Sequence, residues 1–449
     1  MHLKNIYSKL SDGIIASLFA GVFILFAFVF YTNFTFDLTN ESRYPSTFFN
    51  MWNKMVDGDV GIDREYLPGE TFLISGKTIG YFLPFPAIVR GFNQIFGIGK
   101  FPVPSILMGL IVYAFSVFYI FKQLVQNITG EKSRVFILAW YPFFLLPAVT
   151  LFVESSVYWE AIVWGLSLFM LEICLYCDYK TKGALYIKFL LCLISSLTLF
   201  TRPTYAVASL ILILLMFISE KQKTTSIKNY FPYFIFFTGL ICLGSLNYAR
   251  WGSPFEFSPL KYHEQLIGTE RGRLASINPS LSIKRIPEAF NYYFMPDQNN
   301  FQMKFPYVVN GNKKPSSISD FDYIEWSFPI TLVLPFNLIL VLAGLYFGLK
   351  NKSEYRMPIL IAFIPSFLIL TIISMALRYR AEFFPFIIFC SMIGLIYLKK
   401  ILKSNLTYLA LFFSVITFLL VTNSLLVERL LFFNCDVSHN PQVICKFYR

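Results

Sequence analysis

Residues 36–90 read FDLTNESRYPSTFFNMWNKMVDGDVGIDREYLPGETFLISGKTIGYFLPFPAIVR, a polar, acid-bearing stretch hung between two long apolar runs. Asp37, Glu41, Arg43 and Tyr44 fall within eight residues, just after a run of helix length. That is far more ionisable chemistry than a membrane connector needs, so an active site is expected here. A second patch, Gly76-Lys77 and then Tyr81, Pro84, Phe85 and Pro86, brings a cation and a rigid aromatic turn back toward the bilayer. An acid followed by a cation suits a site that handles a phosphate-linked substrate.

Outward from this stretch the chain is apolar. Of its 449 residues 56% are hydrophobic and 14% charged, which excludes an ordinary soluble protein. Runs of spanning length recur at about 14–32, 102–121, 135–153, 157–177, 184–200, 204–219, 231–249, 327–349, 357–377, 383–398 and 405–426. They predict an all-α, polytopic integral membrane protein with about 11 transmembrane helices, the runs at 184–200 and 204–219 being short but read as crossing. No internal repeat or low-complexity linker appears, so residues 1–449 are read as a single transmembrane domain. Its long outer segments are 33–100, 250–326 and a tail at 427–449.

Charge sets the orientation. With the amino terminus in the cytoplasm, the inner segments hold 17 of the 38 Lys and Arg but only six of the 26 Asp and Glu. Nearly all of the net +12 is then cytoplasmic, as the positive-inside rule requires. The basic balance therefore reports topology and anionic membrane lipids, and gives no reason to expect nucleic acid. Inner connectors are short and lysine-rich, and no Gly-rich phosphate loop occurs, which disfavours a nucleotide-driven motor. The first run reads as an uncleaved anchor, because FVFYTNF at its end lacks a small-residue cleavage site.

Five of the seven cysteines lie in or beside apolar runs as packing residues. Cys174 and Cys177 have redox spacing but no second pair and no βαβ context. Cys435 and Cys445 flank a polar turn in the outer tail, where an oxidising compartment permits a disulfide.

Within the first loop, 44–56 can form a surface helix with Phe48, Phe49, Met51, Trp52 and Met55 on its apolar side, lying along the membrane. The segment 82–98 is apolar and helical but holds Arg90, so it is expected to be interfacial. The second loop opens with NYARWGSPFEF at 247–257, which includes Glu256, and continues through Tyr262, His263 and Glu264. Aromatics among polar groups suit a sugar-binding surface, although interfacial aromatic belts share that composition. Asp57, Asp59, Asp63 and Glu65 lack EF-hand spacing and read as a solvated acidic turn. No metal site or cofactor is assigned, and a divalent metal is left open.

Three further cations sit where spans meet the outside: Arg202 in LFTRPT at 199–204, and Arg378 and Arg380 in LRYRAE at 377–382. Cations at that depth need an anionic partner. The partner is either a lipid phosphate, which arginine grips with several donors, or a carboxylate such as Glu382 in a structural clamp.

Asn40-Glu41-Ser42-Arg43-Tyr44, following the first span, resembles the acidic signature of the GT-C superfamily of membrane glycosyltransferases. Gly76-Lys77, Thr201-Arg202-Pro203-Thr204, Phe255-Glu256-Phe257 and Arg378-Tyr379-Arg380 are similar to segments of bacterial members. The layout is also similar to that of the serotype-converting O-antigen glucosyltransferases of enteric bacteria and their phages. The resemblance implies a hexosyltransferase in a bacterial inner (cytoplasmic) membrane, with its site facing the periplasm, and direct displacement at the anomeric carbon would make it inverting. Its donor would be a polyprenyl-phosphate sugar, and its acceptor a lipid-linked or cell-surface glycan such as lipopolysaccharide O-antigen.

Asn40 stands where an acid is common, so both Glu41 and Asp37 are candidates for the catalytic base, Glu41 first. The other reading of Glu41 is a helix cap or an ion pair with Arg43. Arg43, Lys77, Arg202, Arg378 and Arg380 are the expected phosphate and donor ligands, and Tyr44, Tyr81, Glu256, Tyr262 and His263 the expected acceptor ligands. The competing functions are a lipid-linked oligosaccharide flippase or other transporter, and an O-antigen polymerase. A flippase should carry charges at mid-membrane in repeated halves, whereas these charges gather at the outer rim. An acyltransferase is disfavoured because, of the three histidines, only His263 is placed to act as a base.

Overall fold

A backbone inside hydrocarbon must satisfy its own N–H and C=O groups, so apolar runs of this length become helices. The computed structural model describes residues 12–32, 44–74, 76–131, 133–151, 157–221, 227–269, 272–273, 277, 280–296, 323–324, 328–351, 353–402 and 406–433. Every apolar run named above falls on a helix. They are α1 (Asp12–Tyr31), then after the first loop α4 (Pro102–Thr129), α5 (Arg134–Val149), α6 (Val157–Lys182), α7 (Leu185–Thr198), α8 (Pro203–Lys221) and α9 (Phe231–Trp251). After the second loop come α11 (Pro335–Asn351), α12 (Ser353–Thr371), α13 (Phe384–Leu402) and α14 (Thr407–Phe433). The first loop contributes α2 (Thr47–Val56) and α3 (Phe85–Gln94), and the second contributes α10 (Ile286–Phe294). Among the described residues, 7 helices are long and apolar enough to cross a membrane. Ala16–Val29, Arg134–Val149, Leu185–Thr198 and Pro335–Lys350 are shorter apolar helices. The protein is an all-α polytopic membrane protein.

Burial sorts the helices. α6 and the segment through α13 form the centre, with 83% and 89% of their apolar windows buried, whereas α9 and α14 have 28% and lie at the rim. Around α6 pack α4 and α7, and α11 lies along α13. That last contact depends on glycine: a Cβ on Gly344 would stand 1.9 Å from the Cys390 carbonyl oxygen, and one on Gly394 2.1 Å from that of Leu340. Small residues allow such close backbone approach where lipid gives helices no hydrophobic drive to associate.

The strands are few and short. β1 (Phe72–Ile74) and β2 (Lys77–Ile79) form an antiparallel hairpin, turned at Gly76 with φ +79°. β3 (Tyr323–Ile324) and β4 (Ser374–Met375) pair in parallel.

At 10 residues α3 is too short to cross a bilayer. Arg90 faces inward, 1% exposed, and its Nη2 lies 2.7 Å from Glu160 of α6, while Ile88, Phe92, Ile95 and Phe96 are exposed on the other side. α2 departs from its expected role. Its apolar residues Phe48 and Met51 are buried against Phe82, Val157 and Tyr158, with Trp52 and Met55 packed at the edge, so this side faces protein instead of lipid. The cause is α3: its Gly91 leaves the space that the Trp52 ring occupies.

Candidate active site

The two long loops are zipped together. The N–H of Glu264 donates to the Thr71 carbonyl (2.9 Å), the Thr71 hydroxyl donates to Glu264 Oε2 (2.7 Å), and Phe72 and His263 form an antiparallel bridge. Arg64 adds an ion pair to Glu264. Glu70 and Phe72 thus share the face toward the His263 ring, and Thr71 takes the other, toward Glu264. On the first face His263 Nε2 lies 3.6 Å from Glu70 Oε2, and its ring meets Phe72 edge-on at 5.0 Å.

From Phe72 a continuous strip of rings leads to two arginines. Phe72 meets Trp251 (5.3 Å) and Tyr81 (6.0 Å), and Tyr81 stacks on Phe82 (4.4 Å) and Tyr158 (6.4 Å). The Arg378 guanidinium sits 4.2 Å above the Tyr158 ring and 5.5 Å from Tyr379, and Arg202 lies on Tyr379 at 5.6 Å. Two backbone links hold the strip: the Phe85 N–H donates to the Phe200 carbonyl (2.9 Å), and Arg250 Nη1 donates to that of Phe82 (2.8 Å). Burial, with Tyr158 and Glu70 nearby, raises the Tyr81 phenol well above its ordinary pKa, against the opposing pull of Arg378. Tyr81 therefore remains a hydroxyl donor throughout the physiological range.

The structure thus brings together Tyr81, His263, Arg202 and Arg378. Arg202 Nε is 2.7 Å from Glu382, whose other oxygen accepts from the Thr204 hydroxyl (2.8 Å), yet the Arg202 side chain keeps 16% exposure. Arg380 is placed differently. It is 2% exposed, and its Nη1 and Nη2 donate to both oxygens of Glu428 at 2.8 and 2.9 Å. Glu382 therefore clamps Arg202, and Glu428 is the partner of Arg380.

Lys77 stands at the hairpin tip, 3.9 Å from Asp59. Tyr44 packs at the edge of the cluster holding Tyr81 and Tyr158, and its hydroxyl donates to the Pro68 carbonyl (3.3 Å). Tyr262 lies next to His263 in a short 3-10 turn, under the Lys261 ammonium (4.8 Å), and Glu256 is off the strip with no ion pair among the described residues. Asp37, Glu41, Arg43, Cys435 and Cys445 lie outside the described residues.

The acidic turn is internally satisfied. Asp63 accepts from Asn50 Nδ2 (2.8 Å) and pairs with Lys54 (2.7 Å), and these two contacts hold its carboxyl below the usual range. Among the described residues, no three His, Cys, Asp or Glu converge as metal ligands.

Glu70, Tyr158, Glu382 and Glu428 were not assigned site roles by sequence reasoning. Glu70 offered no signal, being one more acid in a polar loop. Glu428 offered a better one, an acid near the end of an apolar run.

The fold and this strip define an all-α polytopic membrane protein with a cationic, aromatic cluster where two loops meet the central helices. No protein-family model matches the chain, and no curated protein resembles it in sequence. The apo crystal structure of the Archaeoglobus fulgidus oligosaccharyltransferase matches it with a TM-score of 0.50 and 12% identity, over 94% of this chain and 56% of that one. The archaeal enzyme in complex with an inhibitory peptide and a dolichol-phosphate gives 0.48 and 11%, over 91% and 56%. Its complex with Zn and sulfate gives 0.48 and 10%, over 92% and 53%. This chain thus spans little more than half the length of these neighbours, and the likeness is one of fold.

Proposed function

We propose that the chain is an inverting membrane glycosyltransferase. It moves one sugar from a polyprenyl-phosphate carrier to a glycan or lipid-linked acceptor, such as O-antigen, at the periplasmic face of a bacterial inner membrane. The observation that carries this reading is the convergence of Arg202 and Arg378, through Tyr379, on a strip of aromatic side chains where the spans meet the outer loops. The fold shared with an oligosaccharyltransferase supports it.

In the reaction the acceptor hydroxyl attacks the anomeric carbon, the bond from that carbon to the phosphate oxygen breaks, and the lipid phosphate departs with the electron pair. A carboxylate within reach of the hydroxyl takes its proton. Glu41 is the first choice for this base and Asp37 the second; Glu41 is three residues from Tyr44, a chain reach of at most about 11 Å. Charge building on the leaving phosphate is met by Arg378 and the exposed side of Arg202, with Arg43 and Lys77 as further cations. Arg380, closed onto Glu428, serves to hold the Leu377–Phe383 turn that carries Arg378.

The test is transfer in proteoliposomes from undecaprenyl-phosphate-linked hexoses, read as release of undecaprenyl phosphate. The wild-type protein is expected to release it in the presence of a glycan acceptor. Arg378→Ala should slow release roughly 10²- to 10³-fold, the loss typical when one preorganised donor to a developing oxyanion is removed. Equal rates in both proteins would contradict the assignment.

A further inference from the structure

Glu70 has no role in the mechanism above, yet its surroundings are built. Its side chain is 19% exposed, and the neighbouring backbone is fixed by packing as well as by conformation. Gly69 has φ +78°, a left-handed conformation that favours glycine, and it lies directly against the Gln265 side chain of the other loop. Thr71 on the other side is tied to Glu264, 193 residues further along the chain.

Two buried polar atoms of the rings around Phe72 have no hydrogen-bond partner among the described residues, His263 Nδ1 and Trp251 Nε1. Their residues are 8% and 6% exposed, and both rings rest on Phe72. Leaving such groups unpaired costs about 1–3 kcal/mol each. Two of them on rings that share Phe72, with the partly exposed Glu70 carboxylate 3.6 Å from the His263 ring, mark a place where a ligand supplies the missing partners.

The available chemistry selects the ligand. Glu70 accepts hydrogen bonds, the Trp251 indole donates, the His263 ring does one or the other at each nitrogen, and the Tyr81 hydroxyl does both. Aromatic surface lies between them. Alternating donors and acceptors over rings match the hydroxyls and C–H face of a sugar. A phosphate fits poorly, because Glu70 repels it and the arginines lie at the far end of the strip.

The geometry points to Glu70, His263 and Trp251 as the acceptor subsite, binding a neutral sugar whose ring hydroxyls donate to the Glu70 carboxylate. The assignment rests on the glycosyltransferase reading, but sugar binding is measurable without transfer. The experiment is saturation-transfer NMR on the full chain in lipid nanodiscs, with methyl glycosides of glucose, galactose, mannose and their N-acetylamino counterparts as probes. The wild-type protein is expected to saturate at least one glycoside. Glu70→Gln should weaken that binding roughly 10- to 100-fold, the worth of a hydrogen bond to a charged group. His263→Asn serves as a second variant should Glu70→Gln aggregate, and it should weaken the same glycoside. Equal binding by wild type and Glu70→Gln, or no glycoside binding by the wild type, overturns the subsite. Binding without any transfer would keep the subsite and overturn the enzyme.

Discussion

Arg202, Arg378 and Arg380 lie within one rim of the membrane but have different electrostatic settings. Arg380 is spent on Glu428, Arg202 is half committed to Glu382, and Arg378 lies on the faces of Tyr158 and Tyr379. Cation–π contacts of this kind are worth roughly 0.5–2 kcal/mol. At the same scale Asp63 gives a pH dependence. Lys54 and Asn50 lower its pKa in the folded protein, so it contributes stability above the unfolded carboxylate range, and that stability is lost as pH falls through the lowered value. Limited proteolysis of the loop between α2 and β1 should therefore accelerate below about pH 4 in the wild-type protein, the range in which an ordinary Asp protonates. In Asp63→Asn the pH dependence should be flatter. Identical profiles would remove Asp63 as the cause.

Among the elements, α3 was legible as non-spanning because a cation interrupts its apolar run, but its anchor was not. Arg90 and Glu160 are 70 residues apart in sequence and both buried, with two hydrogen bonds from Arg90 Nε and one from Nη2 to the carboxylate. Removing one partner of such a pair costs about 3–5 kcal/mol, because the other stays buried and charged. Arg90→Ala should accordingly lower the temperature at which the detergent-solubilised protein loses its fold, and expose 95–100 to protease. Unchanged melting would mean that α3 is held by its apolar contacts alone. The spans were legible because the bilayer imposes one solution on every apolar run. The hairpin and the zipping of the loops were not, since short extended pairs take their register from partners distant in sequence. The arginines of the site could be read as costly where they stand. Glu70 could not, because only the closed loops remove it from water.

At the scale of the whole molecule, the central helices α6 and α13 each carry one end to one place, where Tyr158 and the Arg378 turn meet the two loops. Arginines and aromatic rings gathered at one end of this helical frame fit the proposed transfer between lipid-anchored partners at that face. The central claim is that this chain adds a sugar to a surface glycan. Its most direct test is mass spectrometry of surface polysaccharide from cells with the wild-type gene, without the gene, and with Glu41→Gln at equal protein level. The account predicts a hexose-sized gain per repeat that depends on the gene and is lost in Glu41→Gln. Repeat mass that is the same with and without the gene would contradict it, with altered chain length pointing to a polymerase and loss of all surface glycan to a flippase.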